Sequence, residues 1–374
     1  MKYEKVVLVF PGQGSQYVGM GKDLYYADKH PSVRDSVREV YTKANKILGY
    51  RLEDICFTES KFKEIIRRFD EQVESFMSQH RKHPSTETNG INGKKHHLTN
   101  YLVKSPLDMT LYIQPAVFTT SYACYTALEE MCKDASIQLN PFKVMGHSLG
   151  EYTAAVVSGA MDFETTLGLV NYRAQVMSDA ARERPRTKLM AVMDKKELNY
   201  NMIENLCNEY GQVFWALINS PRQIVVGGNE KKLREISRKL NKKGIYTKIL
   251  DLDAAFHTPF MLEPGKKLKK KLDNITIYPA RTPIVANAIT DDATKEPIYL
   301  TEPNLIRREF SDQMRKRVRL KGGVEKVIKD GADLFIEIGP KMVSRFIRET
   351  NPNVSVLNVY DIKSLEETVK ELRG

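Results

Sequence analysis

No stretch of this chain stays apolar for the roughly 20 residues that a membrane-spanning helix needs, so none of it reads as an integral membrane segment. Cysteine is scarce, and Cys56, Cys124, Cys132 and Cys207 stand far apart. They lack the close pairing that zinc sites and redox motifs require, so they are read as buried or idle thiols. The opening residues, MKYEKVVLVFPGQGSQ, hold one short apolar run and no signal-peptide cleavage pattern. A cytoplasmic protein without membrane contact is expected.

What is present describes a folded protein. The chain has 374 residues, 41% hydrophobic and 28% charged, enough for one large domain or two unequal ones. The net charge of +11 is spread along the chain, with concentrations at GKKLKKKL (265–272) and RREFSDQMRKRVRLKGG (307–323). Such runs are ordinarily solvated helix faces, although a basic surface can also steer an acidic partner. Nucleic acid is not expected, because neither run is interleaved with stacking aromatics.

The dominant rhythm is strand, turn, helix. KVVLVF (5–10) ends at Pro11-Gly12, KVMGHS (143–148) runs into the helical LGEYTAAVVSGA, and TPIVANA (282–288) and ADLFIEIGP (332–340) add two more strands. Short apolar strands separated by helices predict an α/β fold with a parallel sheet covered on both faces. Residues 188–252 break this rhythm with a strand, a helix, two strands meeting at Pro221, a helix and a closing strand. That βαββαβ order predicts a ferredoxin-like subdomain inserted into a large domain made of residues 1–187 and 253–374, with a cleft between them. A further insertion is expected at about 57–109: a helix in KFKEIIRRFDEQVESFMSQH, then a loose polar loop at 80–100. The loop's His80, His83, His96 and His97 have no rigid setting or partner carboxylates, and no metal is expected there.

The stretch GHSLGEY (146–152) fits the G-x-S-x-G elbow, with a strand before it and a helix after it. Ser148 is then either a nucleophile or a helix N-cap serine. A nucleophile needs a base. Of the seven histidines, four fall in the loose loop, His30 in a polar stretch and His147 inside the elbow. His257 remains, in DAAFHTPFM, where the chain returns from the small subdomain to the large one; a core histidine is the alternative. No acidic residue stands out as a third member, with Glu263 the available candidate. Arg173 lies one turn from Leu169 and Val176 on a partly apolar helix face, where its charge needs either a salt bridge or a ligand.

Taken in order, FPGQGSQYVGMG (10–21), QPAVF (114–118), GHSLGEY (146–152), YRAQVM (172–177), NSPRQIVVGG (219–228), AAFH (254–257) and EIGP (337–340) resemble the malonyl-CoA:acyl carrier protein transacylase family. The resemblance covers nearly the whole chain apart from roughly residues 57–109. It implies an α/β-hydrolase-like core with a ferredoxin-like insert. It also implies a two-step transfer of a malonyl group from malonyl-CoA, through Ser148, to the phosphopantetheine thiol of an acyl carrier protein in fatty acid or polyketide synthesis.

On the same basis His257 is the base, and the N–H groups of Gln13 and Leu149 hold the oxyanion. Arg173 takes the malonyl carboxylate, a bidentate task suited to arginine. Gln114 and Asn219 line the pocket. Phe256 fills the space an α-methyl branch would need, a discrimination worth about 1 to 3 kcal/mol. In relatives a Leu-x-x-Gln pattern supplies a main-chain carbonyl that orients the histidine. This chain is expected to use Leu305-Ile306-Arg307-Arg308, with Arg308 as the orienting residue. No cofactor beyond the malonyl-CoA substrate and a monomeric state are expected. The competing readings are an editing acyl hydrolase of the same fold, a general esterase, and a carrier-docking scaffold with an idle site.

Overall fold

The structure, a computed structural model, describes residues 2–58, 107, 109–183, 186–252 and 254–374. The helix expected at 61–80 and the polar loop with its four histidines lie outside the described residues. Ten strands follow in chain order: β1 (Val6–Phe10), β2 (Lys143–Gly146), β3 (Thr187–Met193), β4 (Val213–Ser220), β5 (Gln223–Asn229), β6 (Tyr246–Ile249), β7 (Ile284–Thr290), β8 (Pro297–Leu300), β9 (Leu334–Ile338) and β10 (Ser355–Val359). Six form one sheet in the order β10-β9-β1-β2-β7-β8, and four form a second in the order β4-β5-β3-β6.

The composition of β1 explains the larger sheet. VVLVF has no polar side chain and is buried along its whole length. Val6, Leu8 and Phe10 face a core shared with the helices Pro31–Leu48 and Thr110–Asp134. Val7 and Val9 face the other side, against Val324 and Val327 of one helix and Val343, Phe346 and Ile347 of the next. A strand with no wet face can only sit inside a covered sheet, and β1 pairs in parallel with β2 and β9. The sheet is not wholly parallel, since β8 runs antiparallel to β7 at one edge. Sequence periodicity also passes over β8 and β10. Both are short edge strands with half-exposed residues, so the apolar run that marks a central strand is missing.

The second sheet alternates in the way a pleated strand must. Met190, Val192, Ile224 and Val226 turn towards its own two helices, Tyr200–Tyr210 and Glu230–Asn241. Leu189, Ala191, Leu217 and Val225 turn the other way, into the main core. The strand order with two helices on one face is the ferredoxin-like arrangement, and its free face is presented to the larger sheet.

The two basic runs do different things. In the helix Leu262–Leu272, Leu268 and Leu272 are buried while Lys269 pairs with Asp273 at 2.8 Å and Lys266 with Glu263 at 2.7 Å, which makes a solvated face. In the second run Arg307 donates to the carbonyls of Leu272 and Ile275, and Arg315 and Lys316 converge on Asp312.

The tightest packing lies where β1 and β2 meet the helix Gly150–Val157. A Cβ on Gly150 would stand 2.0 Å from the Phe10 carbonyl oxygen, and one on Gly146 would stand 2.0 Å from the Gly150 carbonyl carbon. Both obstacles are backbone, which cannot swing away. Gly150→Ala is therefore expected to lower Tm sharply or prevent folding. Gly168→Ala, in the helix Phe163–Glu183 with nothing within 4 Å, is expected to hold or gain about 0.5 to 1 kcal/mol. Thermal melts of both variants test this, and a Gly150→Ala protein that melts with the parent refutes it.

Candidate active site

The strand β2 ends at Gly146, the helix begins at Gly150, and Ser148 sits between them with φ 53°, in the left-handed region. Such a conformation costs a β-carbon-bearing residue on the order of 1 to 3 kcal/mol and persists only where its surroundings enforce it. Asn287 on β7 does so. Its Oδ1 accepts the Ser148 N–H at 2.8 Å, and its Nδ2 donates to the Gly146 carbonyl at 2.8 Å, closing the turn from both sides. Sequence reasoning did not single out Asn287. Its signal is a polar amide in the middle of the apolar, buried run 284–289, which must find partners.

His257 also has a left-handed backbone, with φ 60°, and is buried. Its Nε2 lies 2.7 Å from Ser148 Oγ, and its Nδ1 lies 2.8 Å from the Gln313 carbonyl oxygen. A carbonyl only accepts, so Nδ1 carries the proton and Nε2 is left to accept from the hydroxyl. Burial, then the charge of Arg173, push the imidazole pKa down to about 3, so the ring is neutral and basic at Nε2. The arrangement lets Nε2 accept the Ser148 hydroxyl proton as the oxygen attacks.

The orienting carbonyl belongs to Gln313, not to Arg308. Arg308 is exposed, on the outer side of the helix Pro303–Gln313, with its guanidinium 4.0 Å from Asp312. Gln313 ends that helix, where carbonyls lose their intrahelical donors and take others. His257 supplies two: Nδ1–H to Gln313, and its backbone N–H to the Met314 carbonyl at 2.9 Å. The legible signal is an apolar-x-x-Gln run at Phe310-Ser311-Asp312-Gln313. Glu263 is remote from this chemistry, on an exposed face with Lys266.

Arg173 is 1% exposed, yet among the described residues it forms no ion pair. Nη1 donates to Gln114 Oε1 at 2.6 Å, while Nη2 reaches Ser148 Oγ and Gln313 Oε1, each at 3.3 Å. Its Nε has no acceptor, and the plane stands 5.5 Å over the Tyr152 ring, which stacks on Phe310. A structural salt bridge is thus not its role. A buried cation with only neutral acceptors and an unused donor costs about 1 to 3 kcal/mol for that donor alone, a cost an incoming anion removes.

These groups open onto a cavity of about 860 Å³, within the range of ligand sites. Ser148, His257, Arg173, Phe256 and Asn219 line it. Apolar residues of the free face of the second sheet, Leu189, Ala191 and Val225, form the opposite wall. Gln114 is not part of that lining; it stands behind Arg173 and holds the guanidinium. Asn219 Oδ1 lies 2.9 Å from His147 Nε2, so the elbow histidine is tied to β4. The N–H groups of Gln13 and Leu149, flanking Ser148 from the loop after β1 and from the elbow itself, have no acceptor among the described residues.

A sequence profile of the acyl transferase domain matches residues 7–362. The malonyl CoA-acyl carrier protein transacylase of Bacillus subtilis (strain 168) is 28% identical over 373 residues, covering 99% of this chain and 98% of that protein. Its counterpart from Staphylococcus aureus (strain MW2) is 26% identical over 368 residues, 97% of each. Among solved structures, the malonyl CoA-acyl carrier protein transacylase from Clostridium perfringens matches with a TM-score of 0.75 at 28% identity, over 99% of this chain and 98% of that one. The acyl-carrier-protein S-malonyltransferase from Burkholderia pseudomallei matches with 0.76 at 26% identity, over 98% and 100%. Because the profile spans nearly the whole sequence, from β1 to the start of the last helix, the chain belongs to the acyl transferase domain family.

Proposed function

We propose that the protein transfers a malonyl group from malonyl-CoA to the phosphopantetheine thiol of an acyl carrier protein, with Ser148 as nucleophile and His257 as base. One observation carries the malonyl assignment: the buried guanidinium of Arg173 lies 3.3 Å from Ser148 Oγ and, among the described residues, has no carboxylate of its own. An acyl group bound to Ser148 brings its free carboxylate to that cation. A simple acetyl or fatty acyl chain leaves it unmet.

In the first half-reaction Ser148 Oγ attacks the thioester carbonyl as its proton passes to His257 Nε2. The imidazolium is held by the Gln313 carbonyl and by the negative end of the helix Pro303–Gln313. The oxyanion is received by the N–H groups of Gln13 and Leu149, which have no other acceptor among the described residues and so need no reorganisation. Collapse expels the coenzyme A sulfur, which takes the proton from His257. In the second half the carrier thiol gives its proton to Nε2 and attacks the acyl-serine carbonyl, and Ser148 Oγ leaves with that proton. No cofactor is required.

Lys248, Lys341, Arg345 and Arg348 line the same cavity and suit phosphate groups or an acidic carrier. The ring of Phe256, 3% exposed, narrows the acyl end and favours an unbranched malonyl unit. Among the described residues no helix is long and apolar enough to cross a membrane; we place the protein in the cytoplasm, acting as a monomer.

Brief incubation with malonyl-CoA is expected to give a malonyl adduct on Ser148 by mass spectrometry, removed by a holo carrier protein. Release of free malonate with nothing reaching the carrier would make the protein an acyl hydrolase instead. Arg173→Ala is expected to reduce malonyl loading roughly ten- to a hundredfold more than acetyl loading, the worth of a charge-assisted bond pair. Equal losses would remove its assigned role.

The depressed pKa of His257 sets the pH behaviour. Because the folded-state value lies below the ordinary 6.5, the neutral base persists as pH falls through 6.5 and is lost only towards 3. The kcat/KM of loading should therefore hold well below pH 6.5. An acid limb centred there would contradict this environment for the imidazole.

A further inference from the structure

Two carboxyl groups near Ser148 take no part in the steps above. Glu151, in the first turn of the helix Gly150–Val157, and Glu309, one turn before Gln313, are both 0% exposed. They converge on a single donor: Oε1 of each accepts the backbone N–H of Asn287, at 3.0 Å from Glu151 and 3.1 Å from Glu309. Glu309 also accepts the N–H groups of Ala288 at 2.6 Å and Ile289 at 2.8 Å, a set of donors suited to an ion. Glu151 Oε2 accepts from Gln313 Nε2 at 2.5 Å.

The groups facing the pair are few. Arg173 and Tyr152 act on Glu151, Asp312 and Arg319 on Glu309, and neither arginine is in ion-pair contact with either carboxyl. Arg319 is instead tied to the carbonyls of Ala288 and Arg317, each at 3.2 Å. Burial raises the pKa of both carboxyls, and the Glu309 charge raises that of Glu151 further. Two buried carboxylates that share a donor and touch no cation do not both ionise.

We propose that Glu151 and Glu309 share one proton and form a single buried anion. Through the Gln313 amide, this anion positions His257 and offsets the effect of Arg173 on it. The proposal rests on the reading of Ser148 as nucleophile and His257 as base. Gln313 Nε2 donates to Glu151 and to the Ser148 carbonyl, at 2.5 Å and 2.8 Å, while its Oε1 accepts from Arg173. The amide therefore lies between negative and positive charge and has one stable orientation; flipping it would set NH2 against guanidinium and oxygen against carboxyl. The backbone carbonyl of the same residue holds His257 Nδ1. When the serine proton reaches Nε2, a second positive charge appears beside Arg173. In a low-dielectric interior the pair's negative charge lowers the cost of that step. Neither glutamate touches the substrate; both are positioning residues.

Infrared difference spectra of the wild-type protein against Glu151→Gln, taken above the ordinary carboxyl titration range, are expected to show the carbonyl band of one protonated carboxylic acid in the wild type. Its absence overturns the proposal. In single-turnover loading with malonyl-CoA, Glu309→Gln removes the charge. The rate is expected to fall about tenfold or more while the apparent donor affinity holds or tightens, because Arg173 loses its counter-charge. Glu151→Gln leaves Glu309, held by three backbone N–H groups, to carry the charge and is expected to slow loading less, by about threefold. Equal loss of rate and affinity in both variants, tracking their loss of Tm, would mean a merely structural pair and overturn the proposal. Should Glu309→Gln fail to fold, the infrared band and the Glu151→Gln rate decide the matter. Failure of wild-type Ser148 to load at all would sink the function reading while leaving the infrared band untouched.

Discussion

Gln313 is the point at which the site is tied to the fold. Its backbone carbonyl, at the end of the helix Pro303–Gln313, accepts from His257, and its side chain bridges the Ser148 carbonyl, Glu151 and Arg173. A helix end leaves carbonyls in need of donors, and a buried one must find them in protein. His257 satisfies that need and is oriented by doing so. No carboxylate has to enter the pocket behind the imidazole, where it would compete with a substrate carboxylate for Arg173.

The two sheets make this convergence possible. β1 and β2 lie side by side, so the loop carrying Gln13 and the turn carrying Ser148 emerge together at their carboxyl ends. β7, the next strand, brings Asn287 under the turn. The chain reaches His257 after leaving the second sheet, and its backbone N–H bond to the Met314 carbonyl sets the imidazole beside Ser148. The positive φ values of Ser148 and His257 are local costs met by surrounding hydrogen bonds.

Electrostatically the site keeps one cation buried and its own negative charge at one remove. Arg173 has polar neighbours but, among the described residues, no ion pair, and it helps hold His257 neutral. That environment suits an acyl group that carries negative charge. The apolar wall supplied by Leu189, Ala191 and Val225 limits competing water on the opposite side.

Much of this was legible in the amino-acid order because the signals are local. Apolar runs mark β1, β2, β7 and β9, the alternation over 188–252 marks the second sheet, and the glycines around Ser148 mark a turn in which backbone passes too close for a Cβ. The edge strands β8 and β10 lacked such runs, being half exposed. The carbonyl that orients His257 was misassigned to Arg308, since 56 residues separate His257 from Gln313 and any main-chain oxygen looks alike in a sequence. Asn287, Glu151 and Glu309 gain their meaning only from one another, through bonds spanning 22 and 136 residues. The sequence alone thus determined the buried strands, the elbow and the residue types available for chemistry, because these depend on neighbours in the chain. Tertiary structure alone decided which helix end meets the imidazole, and that Arg173 is buried without an ion pair, because those depend on what packing brings close and keeps from water.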